Sequence, residues 1–152
     1  KDADALSAAL GADRLAPFIG LRTWRRAGAT VAINTDHMFG LDPDQALNPF
    51  NPFLTMATAV TRRTETGAVV SADEAVSRED ALRMMTIDAA RLGFDETNRG
   101  SIEVGKHADF AMLTDDLLTC PPERIHTIRP VLTVVGGRTA YERRETRGAS
   151  GR

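Results

Sequence analysis

The spacing of apolar and polar positions divides the chain into a helical part and a later part rich in strands. Two helices are predicted over residues 4–10 and 16–27, because Gly11 and Gly28 can each leave the helical conformation and end one of them. Residues 30–34 form a short apolar, β-branched run, which is typical of a buried strand. The first part of the chain therefore has the helix–strand–helix order of an α/β protein.

Two further helices are predicted beyond a long loop over residues 38–51. Asn51 can cap the first of them, and Pro52 suits its first position. The apolar side chains of this helix recur at helical spacing and form one face: Phe53, Met56, Ala57 and Val60.

The second of these helices is predicted to begin after Ser77, with Asp80 as a weaker form of the usual capping-box glutamate. Gly93 can end it. The apolar positions that line it are Ala81, Leu82, Met85 and Leu92. The pattern therefore predicts one continuous helix between Ser77 and Gly93.

From Gly100 onward the pattern changes to turns and strands. Gly100 and Gly105 allow the positive φ that a tight turn needs. Residues 110–113 are apolar without a break, which predicts a strand buried on both faces. Residues 130–135 and 138–142 predict a hairpin, because a two-glycine turn joins them.

Composition narrows the classes of protein that fit this pattern. The chain has 152 residues, of which 42% are hydrophobic, and this is enough for one domain with a real core. No apolar run approaches the roughly 20 residues of a membrane span. The net charge of -2 gives no basic excess for nucleic acid. The single cysteine, Cys120, cannot form an internal disulfide and is read as an inert thiol, so we expect a cytoplasmic protein.

Asp36 is the leading candidate for chemistry. It follows the predicted strand over residues 30–34 and precedes the long loop, and in α/β proteins function sits where strands end. The alternative is that Asp36 caps a turn by accepting backbone hydrogen bonds. Position alone leaves both interpretations open.

Several motifs along the chain, taken in order, bear on the choice between these two interpretations of Asp36. They lie at residues 32–36, 77–82, 86–90, 100–113 and 134–138. In this order and spacing the chain resembles the C-terminal part of the metal-dependent amidohydrolase superfamily. It is most similar to amidohydrolase family 3, the branch that includes N-substituted formamide deformylases.

This resemblance implies an α/β fold: the C-terminal part of a (β/α)8 TIM barrel followed by part of a composite β-sandwich. Residues 30–34 would be the eighth barrel strand. Residues 1–97 would hold the last helix–strand–helix units of the barrel, and residues 98–143 the C-terminal share of the sandwich. Residues 144–152 are expected to be a disordered tail.

The resemblance also implies a role for Asp36. It matches the family's aspartate at the end of the eighth strand, which is a metal ligand and the catalytic proton shuttle. The activity implied is hydrolysis of non-peptide C–N bonds in small amide or formamide substrates. The implied cofactor is a divalent metal, with zinc expected, and no partnership with nucleic acid or a membrane is expected.

The histidines of the chain depart from the family pattern, which includes a His-x-His pair. Only His37, His107 and His126 are present, and none forms such a pair. The remaining metal ligands are therefore expected outside this chain. His37 could contact substrate from the loop, but alternation along a strand argues against its sharing a metal with the neighbouring Asp36. His107 is expected at the surface, and His126 to be structural or exposed.

Four other features near these motifs have simpler interpretations. Asp42 and Asp44 are expected to form turns in the long loop, and Asp109 to be a turn residue rather than an acid. The apolar loop residues either line a substrate pocket or pin the loop down, and the sequence leaves both open: Phe39, Leu41 and Phe50.

With these departures, the chain is expected to be the C-terminal portion of such a hydrolase and incomplete alone. It would need a missing N-terminal portion or a complementary chain, and a homo-oligomer is a further option. The alternatives are a non-catalytic structural fragment and a β-rich binding module. Independent folding of residues 100–152 would favour the module, and histidines encoded upstream would favour the hydrolase.

Overall fold

The structure is a computed structural model, and it describes residues 2–37 and 50–144. The helices are α1 (Asp2–Leu10), α2 (Ala12–Leu15), α3 (Leu21–Arg26), α4 (Pro52–Thr61), α5 (Arg78–Met85) and α6 (Ile87–Leu92). Two 3₁₀ helices span Ala72–Glu74 and Pro122–Thr127. The strands are β1 (Phe110–Leu113), β2 (Pro130–Val135) and β3 (Arg138–Glu142). The predictions for Phe39, Leu41, Asp42, Asp44 and most of the tail concern residues outside these ranges.

The N-terminal helices match the sequence prediction in part. Gly11 ends α1 as expected, with a φ of 80°. The predicted helix over residues 16–27 is wrong in its first half, because α3 begins only at Leu21. Ile19 adopts a φ of 50°, a left-handed conformation that cannot continue a right-handed helix.

The predicted strand over residues 30–34 is absent from the described structure. Val31 is buried and Ile33 packs against the core, but the segment joins no sheet. The Ile33 N–H instead donates a hydrogen bond to the Met84 carbonyl at the end of α5, at 3.3 Å. The apolar pattern marks burial correctly, whereas a strand also needs a neighbouring strand to complete its hydrogen bonds.

The next helices confirm the predicted caps. The Asn51 side chain accepts hydrogen bonds from the backbone of Phe53 and Leu54, with Pro52 in the first turn of α4. The Ser77 hydroxyl accepts from the Asp80 N–H at 3.0 Å. Both helices therefore start where side chains satisfy backbone N–H groups that have no partner inside the helix.

The predicted continuous helix between Ser77 and Gly93 is broken in two. Thr86 separates α5 from α6 with φ −122° and ψ −94°, and its hydroxyl donates to the Leu82 carbonyl at 2.7 Å. Gly93 ends α6 as predicted. Leu92, one of the apolar positions predicted to line this helix, is exposed. Thr86 lies outside the helical conformation, so periodicity carried across it fails.

The three strands form an antiparallel sheet in the order β1-β2-β3. β2 and β3 form the predicted hairpin, and the Asp109 carboxylate accepts from the Gly136 N–H at 2.6 Å. Asp109 thus holds the hairpin turn against the start of β1. The expectation that β1 is buried on both faces is wrong, because its residues Phe110, Ala111 and Met112 are exposed.

The core joins the helical part to the segment before β2. Helix α4 packs against the 3₁₀ helix Pro122–Thr127 and against α5. The buried residues of this cluster are Leu21, Val31, Met56, Ala57, Ala59, Val76, Ala81, Met84, Leu117, Cys120, Ile125 and Ile128. Met84, Ile125 and Ile128 are the largest fully buried side chains, so α5 and the 3₁₀ helix form its centre.

A network of charged side chains fixes α3 against α5 and α6. The Arg25 guanidinium donates to Asp88 Oδ2 and to Asp80 Oδ1, each at 2.7 Å, and Arg91 donates to Asp88 Oδ1 at 2.8 Å. Burial disfavours the charge on Arg25, but its hydrogen bond to Asp88 and the charges of Asp80 and Asp88 outweigh burial and raise its pKa. The Asp88 side chain is only 5% exposed, so its negative charge is stabilised by these guanidinium groups rather than by water.

Replacing Asp88 with asparagine is expected to lower the free energy of unfolding by about 2 kcal/mol, because two guanidinium groups lose a buried carboxylate. The matched control is Glu103→Gln, since Glu103 pairs with Lys106 at 3.6 Å but is 63% exposed. That change should cost less than about 0.5 kcal/mol. Urea unfolding of both variants measures the difference, and equal losses would contradict the structural role of Asp88.

A second polar contact ties α3 to the 3₁₀ helix Ala72–Glu74. The Thr23 hydroxyl and the Thr23 N–H, the latter at 2.9 Å, both donate to the Glu74 carboxylate. These hydrogen bonds, assisted by the Arg22 backbone and the charge of Arg62, outweigh burial and lower the pKa of Glu74. Glu74 therefore acts as the cap that Gly20 cannot provide for α3.

The lowered pKa of Glu74 predicts a pH dependence of stability. A carboxylate with a depressed folded-state pKa stabilises the protein above its unfolded pKa, near 4.5, and loses that contribution as the pH falls through the folded value. Glu74→Gln should therefore be less stable than the parent at neutral pH and show a shallower loss of stability in acid. Thermal midpoints measured from neutral pH down to about pH 3 test this, and parallel curves for both proteins would contradict it.

Candidate functional site

The segment that carries Asp36, residues 31–37, packs against the core at its beginning and is exposed towards its end. Val31 and Ile33 point into the core, whereas Asn34 and Asp36 are exposed. Asp36 adopts a φ of 48°, and its backbone N–H donates to Asn34 Oδ1 at 2.7 Å. The predicted site residue is thus held in a turn built by its own neighbours.

His37 and Phe50 lie on the two sides of the long loop and contact each other. Their ring centroids are 5.6 Å apart at an interplanar angle of 73°, an edge-to-face arrangement. His37 is half-buried, and Phe50 is 70% exposed. The contact brings one of the candidate pocket residues beside the histidine that follows Asp36.

The other two histidines lie away from this segment in sequence and are exposed, as predicted. The His107 N–H donates to the Asn98 carbonyl at 2.8 Å. The His126 carbonyl accepts from Asn51 Nδ2 at 3.2 Å and from Arg129 Nη1 at 2.9 Å. The backbone groups of both residues make hydrogen bonds within the fold. Among the described residues, neither imidazole forms a cluster of metal-ligating side chains with Asp36.

The described residues do not fit a complete metal centre. Within residues 2–37 and 50–144, no group of three or more histidine, cysteine, aspartate or glutamate side chains could hold a metal ion. A catalytic zinc ordinarily takes three protein ligands. Cys120, the one thiol, is buried in the core. Asp36 can offer one carboxylate, and any metal beside it needs ligands from beyond these ranges.

Two of the open grooves on the described surface are lined by neither Asp36 nor His37. The smaller, of about 240 Å³, is lined by Ser7, Leu15, Ala16, Val69, Val70, Ser71, Ala72 and Asp73. The larger, of about 440 Å³, is lined by Arg22, Arg25, Arg26, Val76, Ser77 and Asp80. In the larger groove Arg25 and Asp80 neutralise each other through their ion pair.

Sequence reasoning missed one residue of this segment, Asn34. An asparagine two residues before another polar residue is typical of a turn in which the side-chain oxygen accepts the later N–H. The Asn34-Thr35-Asp36 order carries that signal, although the run over residues 30–34 suggests a strand that would suppress it.

Comparison with known proteins decides the family. The model of the amidohydrolase family matches residues 3–141, which is nearly the whole chain. The chain belongs to the amidohydrolase family. It is 35% identical over 123 residues to the N-substituted formamide deformylase of Arthrobacter pascens, a match that covers 81% of this chain and 21% of that protein. It is 26% identical over 137 residues to the putative amidohydrolase YtcJ of Bacillus subtilis, covering 88% of this chain and 24% of that protein.

A solved structure shares the fold of this amidohydrolase chain. The amidohydrolase from Thermotoga maritima MSB8 superposes with a TM-score of 0.57 at 18% identity, covering 81% of this chain and 26% of that one. The chain spans about a fifth to a quarter of the length of the curated relatives that it matches. No helix in the described part of the chain is both long enough and apolar enough to cross a membrane.

Proposed function

We propose that this chain supplies the Asp36-bearing portion of a metal-dependent hydrolase that cleaves non-peptide C–N bonds. The observation that carries the proposal is the 35% identity to an N-substituted formamide deformylase over most of the chain. The substrate class is a small amide, with N-substituted formamides first, and water supplies the group that replaces the amine.

The proposed architecture follows the amidohydrolase family. Residues 1–97 contribute the last units of a (β/α)8 barrel, residues 98–143 contribute a share of a composite β-sandwich, and residues 144–152 form a tail. The exposed faces of Phe110, Ala111 and Met112 support this arrangement, because apolar strand faces are normally covered in a complete protein. The remaining barrel strands come from an N-terminal portion or a complementary chain. We propose that the assembly is cytoplasmic and that it can form a homo-oligomer.

Asp36 is proposed as the catalytic residue and as one carboxylate ligand of the metal, which we take to be zinc. A bound divalent ion would lower the pKa of water toward neutrality. The Asp36 carboxylate would accept the proton that the attacking water loses and return it to the leaving nitrogen. The C–N bond breaks, the acyl carbon gains the hydroxyl, and the amine leaves neutral. His37 contacts the substrate from the loop.

Metal removal tests this proposal in the whole protein. Formate release from an N-substituted formamide should fall at least a hundredfold after chelation, because a metal ion supplies several kcal/mol of transition-state stabilisation. Added zinc should restore the activity. Simple amides and a peptide serve as comparison substrates. Unchanged turnover after the metal has been removed, confirmed by elemental analysis, would contradict a metal-dependent hydrolase.

A further inference from the structure

We propose that Asn34 is a positioning residue for Asp36. Its side-chain amide oxygen accepts the Asp36 N–H at 2.7 Å and so fixes the turn that presents the carboxylate. This inference rests on the proposed catalytic role of Asp36 and extends it to a residue that the family comparison does not assign.

The backbone at Asp36 needs such support. Its φ of 48° lies in the left-handed region, which L-residues visit at a cost and in which aspartate is among the better tolerated. The hydrogen bond from Asp36 to Asn34 compensates part of that cost by closing the turn locally. Loss of this hydrogen bond removes that compensation, so the right-handed and β regions become more favourable at Asp36, and a change of backbone region would move the carboxylate.

The segment below the turn is fixed independently. Val31 is buried and Ile33 packs on the core, and the Ile33 N–H donates to the Met84 carbonyl of α5 at 3.3 Å. The chain is therefore held to the core at Ile33, only three positions before Asp36. Within this short span, Asn34 supplies the side-chain contact that closes the turn.

A group that takes and returns a proton must be held near its working position, since small displacements reduce the rate. Asn34 is exposed, so water competes for its hydrogen bond and the contribution is modest. Removing the side-chain oxygen is expected to lower kcat by roughly three- to tenfold, with KM nearly unchanged.

The test uses the whole protein with Asn34→Ala and Asn34→Asp. Aspartate keeps an oxygen at the same reach, so it should recover most of the kcat that alanine loses. Hydrogen–deuterium exchange at the Asp36 amide, read by mass spectrometry, should be faster in Asn34→Ala and return toward the parent rate in Asn34→Asp. Asn98→Ala is the matched control, because it removes an exposed asparagine whose side chain donates to Asp95 Oδ1 at 2.7 Å.

Two outcomes separate the positioning role from the proposed function. In an Asp36→Asn background, Asn34→Ala should cause no further loss of kcat, since it acts through the carboxylate. Parent kcat and parent exchange in Asn34→Ala, together with an inactive Asp36→Asn, would overturn the positioning role alone. Full activity in Asp36→Asn would instead overturn the proposed function on which it rests.

Discussion

Gly100→Ala should lower the free energy of unfolding by about 3 kcal/mol, the combined effect of backbone strain and overpacking. Gly100 has a φ of +92°, where an L-residue is strained. A Cβ there would also lie 2.8 Å from Ile87 Cα and 2.8 Å from Ala90 Cβ, both in α6. Because one of these atoms belongs to the helix backbone, a change of side-chain rotamer cannot relieve the contact.

Gly105→Ala is the matched control for that variant. Gly105 has a similar φ of +95°, but a Cβ there would meet nothing within 4 Å. Only the backbone strain applies, so the expected loss is about 1 kcal/mol. Urea unfolding of both variants separates the two causes. Equal losses would show that Gly100 does not pack closely against α6, and that the tract following it is not fixed to the helices as described.

Local signals in the sequence predict local structure well. The caps at Asn51 and Ser77, the turn glycines and the β2–β3 hairpin are confirmed, because each depends on residues within a few positions of one another. The break at Thr86 has no comparable signal, since threonine is common both inside helices and at their ends. It separates two helices that periodicity alone joins into one.

Features that depend on distant partners are the ones that sequence reasoning misses. The apolar run over residues 30–34 predicts a strand, and the structure confirms only its burial. Residues 110–113 do form a strand, but apolar composition does not tell whether another layer covers it. The pairing of Arg25 with Asp88 joins residues 63 positions apart, and no short pattern announces it.

The candidate site was also predictable only in part. Its leading residue, Asp36, follows from position and family resemblance, but the left-handed turn and the hydrogen bond to Asn34 appear only in the structure. Asparagine and aspartate are both found at strand ends and in turns, so the presence of Asn34 and Asp36 does not tell which of these two structures the segment adopts. The edge-to-face contact between His37 and Phe50 spans the long loop and is likewise not readable from spacing.

Asp36→Asn should lower kcat/KM for C–N bond hydrolysis by about 10²- to 10⁴-fold, the usual contribution of a general acid–base group. Asparagine keeps nearly the same size and can accept hydrogen bonds, but it cannot take up and return a proton. The side chain is exposed, so the folded state should tolerate the change within about 0.5 kcal/mol. Asp73→Asn is the control, since it makes the same change of charge at another exposed aspartate.

The catalytic role of Asp36 is tested most directly by kcat/KM for release of formate from an N-substituted formamide, measured in the whole protein for the parent, Asp36→Asn and Asp73→Asn. Thermal midpoints and zinc content are recorded on the same preparations. We expect Asp36→Asn to be folded and nearly inactive, and Asp73→Asn to match the parent. A folded Asp36→Asn variant with parent activity would contradict that catalytic role.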